Sequence, residues 1–314
     1  MNLPTSQTTR AYWAAGFTLV VWSSSYAAIS YGLQLFTPGE IALMRFLIAS
    51  LVLAVPVAMG KIKLPPKQDW PAVALLSVIG NLFYQLSLGY SMTRLSAGAA
   101  AVVISTVPSV TAVLALLRLK EHISTRAAIG LGIAFAGTLL VTLGGSDSIH
   151  FEPMAFLVFI AVLCSATYFV FQKPLLARSN AIGFTAASLF VATLLFLPFG
   201  AALPAKLVAA PWRQLLSIVY LALFPTVMGF GCWSFALARA PASRVASFLY
   251  LQPLIGCLIA WIWLGEIPTW LMVVGGILAI VGVVLATVSN LNLPMFRKPA
   301  PETSNRTARE GVTR

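Results

Sequence analysis

Acidic residues are scarce in this chain: Asp and Glu number 8 in 314 residues, against 20 Lys and Arg. Charged residues of both signs make up 9% of the sequence, and 59% is hydrophobic. A soluble domain carries about a quarter charged residues. Too few are present here to cover a globule in water, so most of the surface must face lipid. No Asp or Glu stands deep in an apolar stretch, which excludes a proton relay of buried carboxylates. His122 and His150 stand apart near the ends of apolar stretches, while Cys164, Cys232 and Cys257 lie inside them without metal-ligand spacing. That excludes a zinc site or a disulfide framework and leaves the cysteines as small buried hydrophobes. Gly144-Gly145 and Gly275-Gly276 form no phosphate loop, and no nucleotide-binding domain is present to supply ATP drive. No cofactor or metal is expected. The formal net charge of +12 would raise nucleic acid as a partner of a soluble chain. In a membrane chain the basic residues report orientation instead, and nucleic acid is set aside.

What the chain has in abundance is apolar length. Ten stretches approach the roughly 20 residues needed to span a bilayer: 11–32, 38–58, 70–92, 96–118, 124–144, 151–172, 181–200, 212–237, 242–264 and 269–289. The links between them are short and carry turn residues, such as Thr37-Pro38-Gly39 and Leu64-Pro65-Pro66, so consecutive helices are expected side by side and antiparallel. Residues 294–314 are polar without apolar period and are expected to form a disordered tail. With the N-terminus in the cytoplasm, sixteen Lys and Arg fall on inner segments and only Arg94, Lys206 and Arg213 on outer ones. A missed or invented helix would invert every later loop and spoil this bias. Ten spans with both termini cytoplasmic follow. The first span has a basic residue ahead of an apolar run, as a signal peptide does, but Trp22-Ser23-Ser24-Ser25-Tyr26 resembles Cys164-Ser165-Ala166-Thr167-Tyr168 in the second half. It is therefore assigned to the fold.

The chain also repeats itself. Arg94, Pro108 and Glu121 return as Arg239, Pro253 and Glu266, and Ala97, Leu119, Gly130 and Gly137 return as Ala242, Leu264, Gly275 and Gly282 at the same offset. Each unit holds an odd number of spans, so the second lies upside down relative to the first. The expected fold is an all-α polytopic membrane protein of ten helices, arranged as two inverted five-helix repeats, 11–144 and 151–289. Inverted repeats are a hallmark of secondary transporters.

Several polar and aromatic residues fall where lipid would penalise them. Ser77, Asn81, Tyr84, Gln85 and Leu88 share one face of span three. The same face of span eight carries Ala222, Thr226, Gly229, Phe230 and Trp233. One face offers amide and phenol groups and the other aromatic surface, which suits a small ligand with a polar head and an apolar body. Interhelical hydrogen bonding is the structural alternative for Asn81 and Gln85. Trp22, Tyr26 and Tyr168 lie mid-span, as cavity lining or as packing. Pro108 and Pro253 stand mid-span and are expected to kink their helices, with Ser105 beside the first kink and Gln252 beside the second. Arg45 is the one basic residue well inside a span, about 10 Å deep at 1.5 Å per residue. It would meet a substrate carboxylate or snorkel to the outer face. Glu121 and Glu266 are expected to hold the start of the following helix, near Ser124 and Thr269. Gly130, Gly137, Gly275 and Gly282 mark close helix packing, within the chain or in a dimer.

These features resemble the drug/metabolite transporter superfamily in its ten-helix form of two EamA-type repeats. The residues that carry the resemblance are Trp22 to Tyr26, Arg45, Pro108 before Leu119-Lys120-Glu121, Pro253 before Leu264-Gly265-Glu266, and Gly275-Gly276 with Gly282. Within that superfamily the chain is similar to bacterial amino-acid exporters of the YddG kind. The resemblance implies a bacterial inner-membrane protein with a central cavity between its halves, exporting amino acids and related metabolites by alternating access. Asn81, Tyr84 and Gln85 would then bind the polar end of the substrate, and Phe230 and Trp233 its body, with monomer or homodimer left open. A multidrug or nucleoside transporter of the same fold is the alternative. An intramembrane enzyme would need a nucleophile with its base, or metal ligands, within the spans; neither is there, and no enzyme is expected.

Overall fold

The computed structural model describes residues 5–94, 103–104, 106–144, 155–256, 258 and 269–288. The polar stretch 294–314 and Ser105, Cys257 and Glu266 lie outside them. All regular structure among the described residues is helical. We label the helices α1 (Thr5–Gly32), α2 (Pro38–Ala58), α3 (Lys67–Ser91), α4 (Val107–Leu119), α5 (Thr125–Gly144), α6 (Ala155–Leu176), α7 (Ala181–Gly200), α8 (Trp212–Arg239), α9 (Ala242–Ser247, continued by a 3₁₀ turn Phe248–Leu251) and α10 (Trp270–Val288). A short helix, Leu203–Ala209, joins α7 to α8. Among the described residues, six segments are long and apolar enough to cross a bilayer, in α2, α3, α6, α7, α8 and α10. Large apolar side chains cover the outside. Leu47, Leu51 and Val55 form an exposed stripe along α2, and Leu117, Phe156 and Ile277 are exposed on other helices. Such a surface is stable only against lipid.

Helices from the first half of the chain pack on helices from the second: α1 on α8, α2 on α7, α3 on α6 and α7, α4 on α6 and α9, α5 on α10. Two main apolar cores result. One surrounds Tyr168, Phe169, Phe230 and Trp233, and the other Phe36, Phe46 and Phe196.

The tightest pair is α5 with α10. A Cβ on Gly130 would stand 2.6 Å from the Ala286 nitrogen, one on Gly137 2.4 Å from that of Ala279, and one on Gly282 2.2 Å from that of Ala134. Residue numbers rise on one helix as they fall on the other, so the pair is antiparallel and its backbones touch. The glycine stripe is thus consumed within the chain and offers no dimer face.

Two long helices are not α-helical throughout. In α3 the segment Val78–Phe83 is a π turn, and in α8 so is Ala222–Phe230. The second has a visible cause. Pro225 has no N–H, so the carbonyl four residues back, that of Leu221, has no α-helical donor. The Thr226 hydroxyl donates to that carbonyl at 2.8 Å.

The prolines expected to kink spans four and nine occupy a different place. Pro108 stands in the first turn of α4, after Thr106 as N-cap. Pro253 follows the 3₁₀ turn Phe248–Leu251 and opens the helical residues 252–256. Both sit at the start of a helical segment, where the missing N–H has no intrahelical partner to lose.

The two ends of the bundle are held by charge. At the end where α2 begins, Thr37 and Glu40 form a capping box, and Lys206 donates to Glu40 at 2.6 Å. At the opposite end Arg178 meets Asp69 at 3.0 Å. There Glu121 accepts from Lys173 Nζ at 3.1 Å, the Ala242 N–H at 2.8 Å, and the Ser243 N–H and hydroxyl at 3.3 and 2.9 Å. Glu121 therefore caps α9 in the other half of the chain, not the following helix as expected. The chain turns at Lys120, with φ of 52°, and sends the carboxylate across. Ser124 caps α5 itself through the Ala127 N–H.

Burial alone would raise the Glu121 carboxyl, but Lys173 and the Ala242 and Ser243 donors outweigh it and hold the group below the usual carboxylate range. The stabilisation is thus complete above the unfolded value of about 4.3 and is lost as pH falls through the lower folded value. Glu121→Gln should cost about 2–3 kcal/mol at neutral pH and remove that acid-sensitive share. Thermal unfolding of the detergent-purified protein between pH 3 and 7 checks both; equal slopes for wild type and variant would refute the assignment.

Candidate functional site

The site begins with the two π turns. A π turn widens the helix and redirects backbone groups that an α-helix would occupy. In α8 the Pro225 carbonyl accepts from Trp22 Nε1 at 2.9 Å. The Thr226 hydroxyl, already donating to Leu221, accepts from Arg45 Nε. One irregular stretch therefore fixes an aromatic side chain of α1 and a cation of α2. Gly229 makes the fit possible, since a Cβ there would stand 2.7 Å from Trp22 Nε1.

The π turn of α3 does the corresponding work. A Cβ on Gly80 would fall 2.3 Å from the Tyr168 ring of α6, so only glycine admits that ring. The Tyr168 hydroxyl lies 3.1 Å from the Ser188 hydroxyl of α7, which also accepts from Asn81 Nδ2 at 2.9 Å and lies 3.0 Å from Ser77.

Between these supports lies a cavity with about 680 Å³ of space between atoms, open solvent included. Its wall brings together Trp22, Tyr26, Arg45, Tyr84, Gln85, Tyr168, Phe230 and Gln252, eight of the residues singled out from sequence. Tyr26 of α1 and Gln252 of the segment after α9 both line the cavity. The Trp22 ring stacks on Phe169 at 6.2 Å and meets the Phe230 ring edge-on at 5.6 Å. Arg45 is buried, with its guanidinium 5.9 Å from the Phe46 ring centre.

Two expected wall residues stand behind the wall instead. Asn81 is fully buried and spends its amide on Ser188, the interhelical alternative. Trp233 is also fully buried, with its ring against Phe169 at 4.9 Å and Trp22 at 5.0 Å. Gly80 and Phe230, from the same π turns, reach the wall. Ser105 lies outside the described residues. Pro108 and Pro253 each follow a wall residue, Val107 and Gln252.

Other wall residues escaped the sequence reading: Ser25, Ser165, Phe169, Gly80 and the apolar Ile29, Ile104, Val107 and Leu249, whereas Leu88 joins the wall from the face it shares with Tyr84 and Gln85. Phe169 follows Ser165 by four residues, a helical-face signal that was available. The role of Pro225 was legible too, as a proline inside an apolar span followed by a hydroxyl.

Toward the Glu40 end the space continues past Ile29, Arg45, Gln85 and Leu88 to Leu33, Pro38 and Met92. Toward the Glu121 end stand the Trp233 and Phe169 rings, then the Tyr12–Phe248 pair at 5.7 Å and the Glu121 junction. Among the described residues no three His, Cys, Asp or Glu side chains cluster as metal ligands.

Comparison with known proteins fits this geometry. The sequence profile of the EamA-like transporter family matches twice, over residues 9–143 and 153–288. An uncharacterized transporter of Bacillus subtilis, YdfC, is 32% identical over 263 residues, 84% of this chain and 86% of that protein. A probable terminal-alkyne amino-acid exporter of Streptantibioticus cattleyicolor is 31% identical over 276 residues, 88% and 93% of the two chains. A probable amino-acid metabolite efflux pump of Escherichia coli is 25% identical, over 84% of this chain and 90% of its own. A solved crystal structure with 18% sequence identity superposes with a TM-score of 0.72, covering 91% of this chain and 98% of that one, which shows the fold. With both halves matched and the site built where they meet, the chain belongs to the EamA-like transporter family of the drug/metabolite transporter superfamily.

Proposed function

We propose that this protein is a secondary transporter of the bacterial inner membrane that exports amino acids and related small metabolites by alternating access. The observation that carries the reading is the cavity: one cation, two carboxamides and an aromatic wall, enclosed between helices of both halves. Two relatives bear names of amino-acid or amino-acid-metabolite exporters, which points to the same class of cargo.

The architecture in this reading is ten transmembrane helices in two inverted five-helix repeats, 11–144 and 151–289. It is supported by the antiparallel contact of α5 with α10 and by π turns at corresponding places in α3 and α8. Both termini lie in the cytoplasm, from the distribution of Lys and Arg. The Glu40 end then faces outward, and the conformation described is open toward the outside and sealed inside by the Glu121 junction. Arg45 receives the substrate carboxylate, Tyr84, Gln85 and Gln252 hydrogen-bond its polar end, and Trp22, Tyr168 and Phe230 hold its body. The half-helix starts at Pro108 and Pro253 are the hinges about which the walls rock.

Purified protein in liposomes should move labelled phenylalanine faster than empty vesicles. If no amino acid or related metabolite crosses faster, the assignment is wrong. Gly229→Ala should push Trp22 off the Pro225 carbonyl and lower flux about tenfold, equivalent to about 1.4 kcal/mol, while the folded yield stays the same. Unchanged flux in a well-folded Gly229→Ala protein would remove Trp22 from the site.

A further inference from the structure

Among the described residues, the cavity wall holds one formal charge and nothing to balance it. Arg45 is the single charged side chain among the described wall residues. Every acidic residue among the described ones is engaged elsewhere, Glu40 with Lys206, Asp69 with Arg178 and Glu121 with Lys173. Of the remaining five, Asp147 and Glu266 fall in links between apolar stretches, Glu152 at the very start of one, and Glu302 and Glu310 in the C-terminal polar stretch. A buried arginine without a counter-ion is costly in a membrane. Thr226 takes only Nε, so the terminal nitrogens keep the paired N–H edge that suits a carboxylate.

The wall is poor in anything for a positive charge. Apart from Arg45 its polar groups are hydroxyls and the carboxamides of Gln85 and Gln252. A zwitterion would have to strip its ammonium of water and set it against neutral dipoles, beside an arginine. Aromatic faces attract cations, but here they surround the space left for the body of the ligand.

We propose that the preferred cargo of this cavity is a monocarboxylate anion with an apolar or aromatic body and no free ammonium group, such as an N-acylated amino acid or a 2-oxo acid, driven outward by the membrane potential. The proposal rests on the reading of this cavity as the transport site. Arg45 supplies the counter-charge while the anion is bound and stays with the protein when it leaves, so each cycle moves one negative charge. An inside-negative potential of 100 mV then sustains about a 50-fold outward gradient of a monoanion. No coupling ion is needed, which accords with the absence of acidic residues deep in the apolar stretches.

The test uses the full chain in liposomes with four probes of one shape: phenylalanine, N-acetylphenylalanine, phenylpyruvate and phenylalaninamide. Potentials are set with potassium gradients and valinomycin. N-acetylphenylalanine and phenylpyruvate should enter at least about tenfold faster than phenylalanine at equal low concentration. An interior-positive potential should speed them and leave phenylalanine unaffected, and phenylalaninamide should not be carried. Arg45→Gln should abolish the preference and Arg45→Lys retain part of it; the wild-type measurements decide even if neither variant folds. If phenylalanine moves as fast as its N-acetyl form, or anion flux ignores the potential, this proposal is overturned and the transport reading stands. If none of the four crosses faster than in empty vesicles, both fall.

Discussion

In a bilayer every backbone N–H and carbonyl must find a partner within the protein, and the site in this protein is built from the way that rule is met around one proline. Pro225 leaves the Leu221 carbonyl without an α-helical donor. The Thr226 hydroxyl satisfies it, and the same oxygen then anchors Arg45. The Pro225 carbonyl accepts from Trp22 Nε1. The cavity is therefore a consequence of where the backbone could not be helical in the ordinary way.

The two halves use the same device with different chemistry. An aromatic side chain from the first helix of each half lies over a glycine in or at the π turn of the other: Trp22 over Gly229, Tyr168 over Gly80. The second helix of each half then contacts that third helix, through Arg45 to Thr226 on one side and Ser188 to Asn81 on the other. The first contact places a charge in the wall; the second is neutral and lies behind it. The shared device supplies the frame, and the difference between Arg45 and Ser188 gives the cavity its polarity.

Much of this was visible in the amino-acid sequence. The scarcity of charge, the apolar lengths and the glycines of α5 and α10 led to a helical membrane protein with closely packed helices, because those signals depend only on composition and period. Trp22, Tyr26, Arg45, Tyr84, Gln85, Tyr168, Phe230 and Gln252 were legible because polar or aromatic groups in mid-span must turn away from lipid. Asn81 and Trp233 were misplaced for one reason. Assigning faces by 3.6-residue periodicity assumes an unbroken α-helix; across a π turn the faces on its two sides no longer line up, so Asn81 parts from Tyr84 and Gln85, and Trp233 from Phe230. The reach of Glu121 to α9 was hidden for another reason, since it depends on a contact between distant parts of the chain that no local pattern encodes.

The alternation of partners bears on how the chain is made. Gly130, Ala134 and Gly137 on α5 have no surface to meet until Gly275, Ala279 and Gly282 of α10 arrive, more than a hundred residues later in synthesis. The same holds for α1 waiting on α8 and α2 on α7. Contacts of the first half with the second therefore wait on the synthesis of α6 to α10, and the glycine pair, which needs α10, is among the last to form.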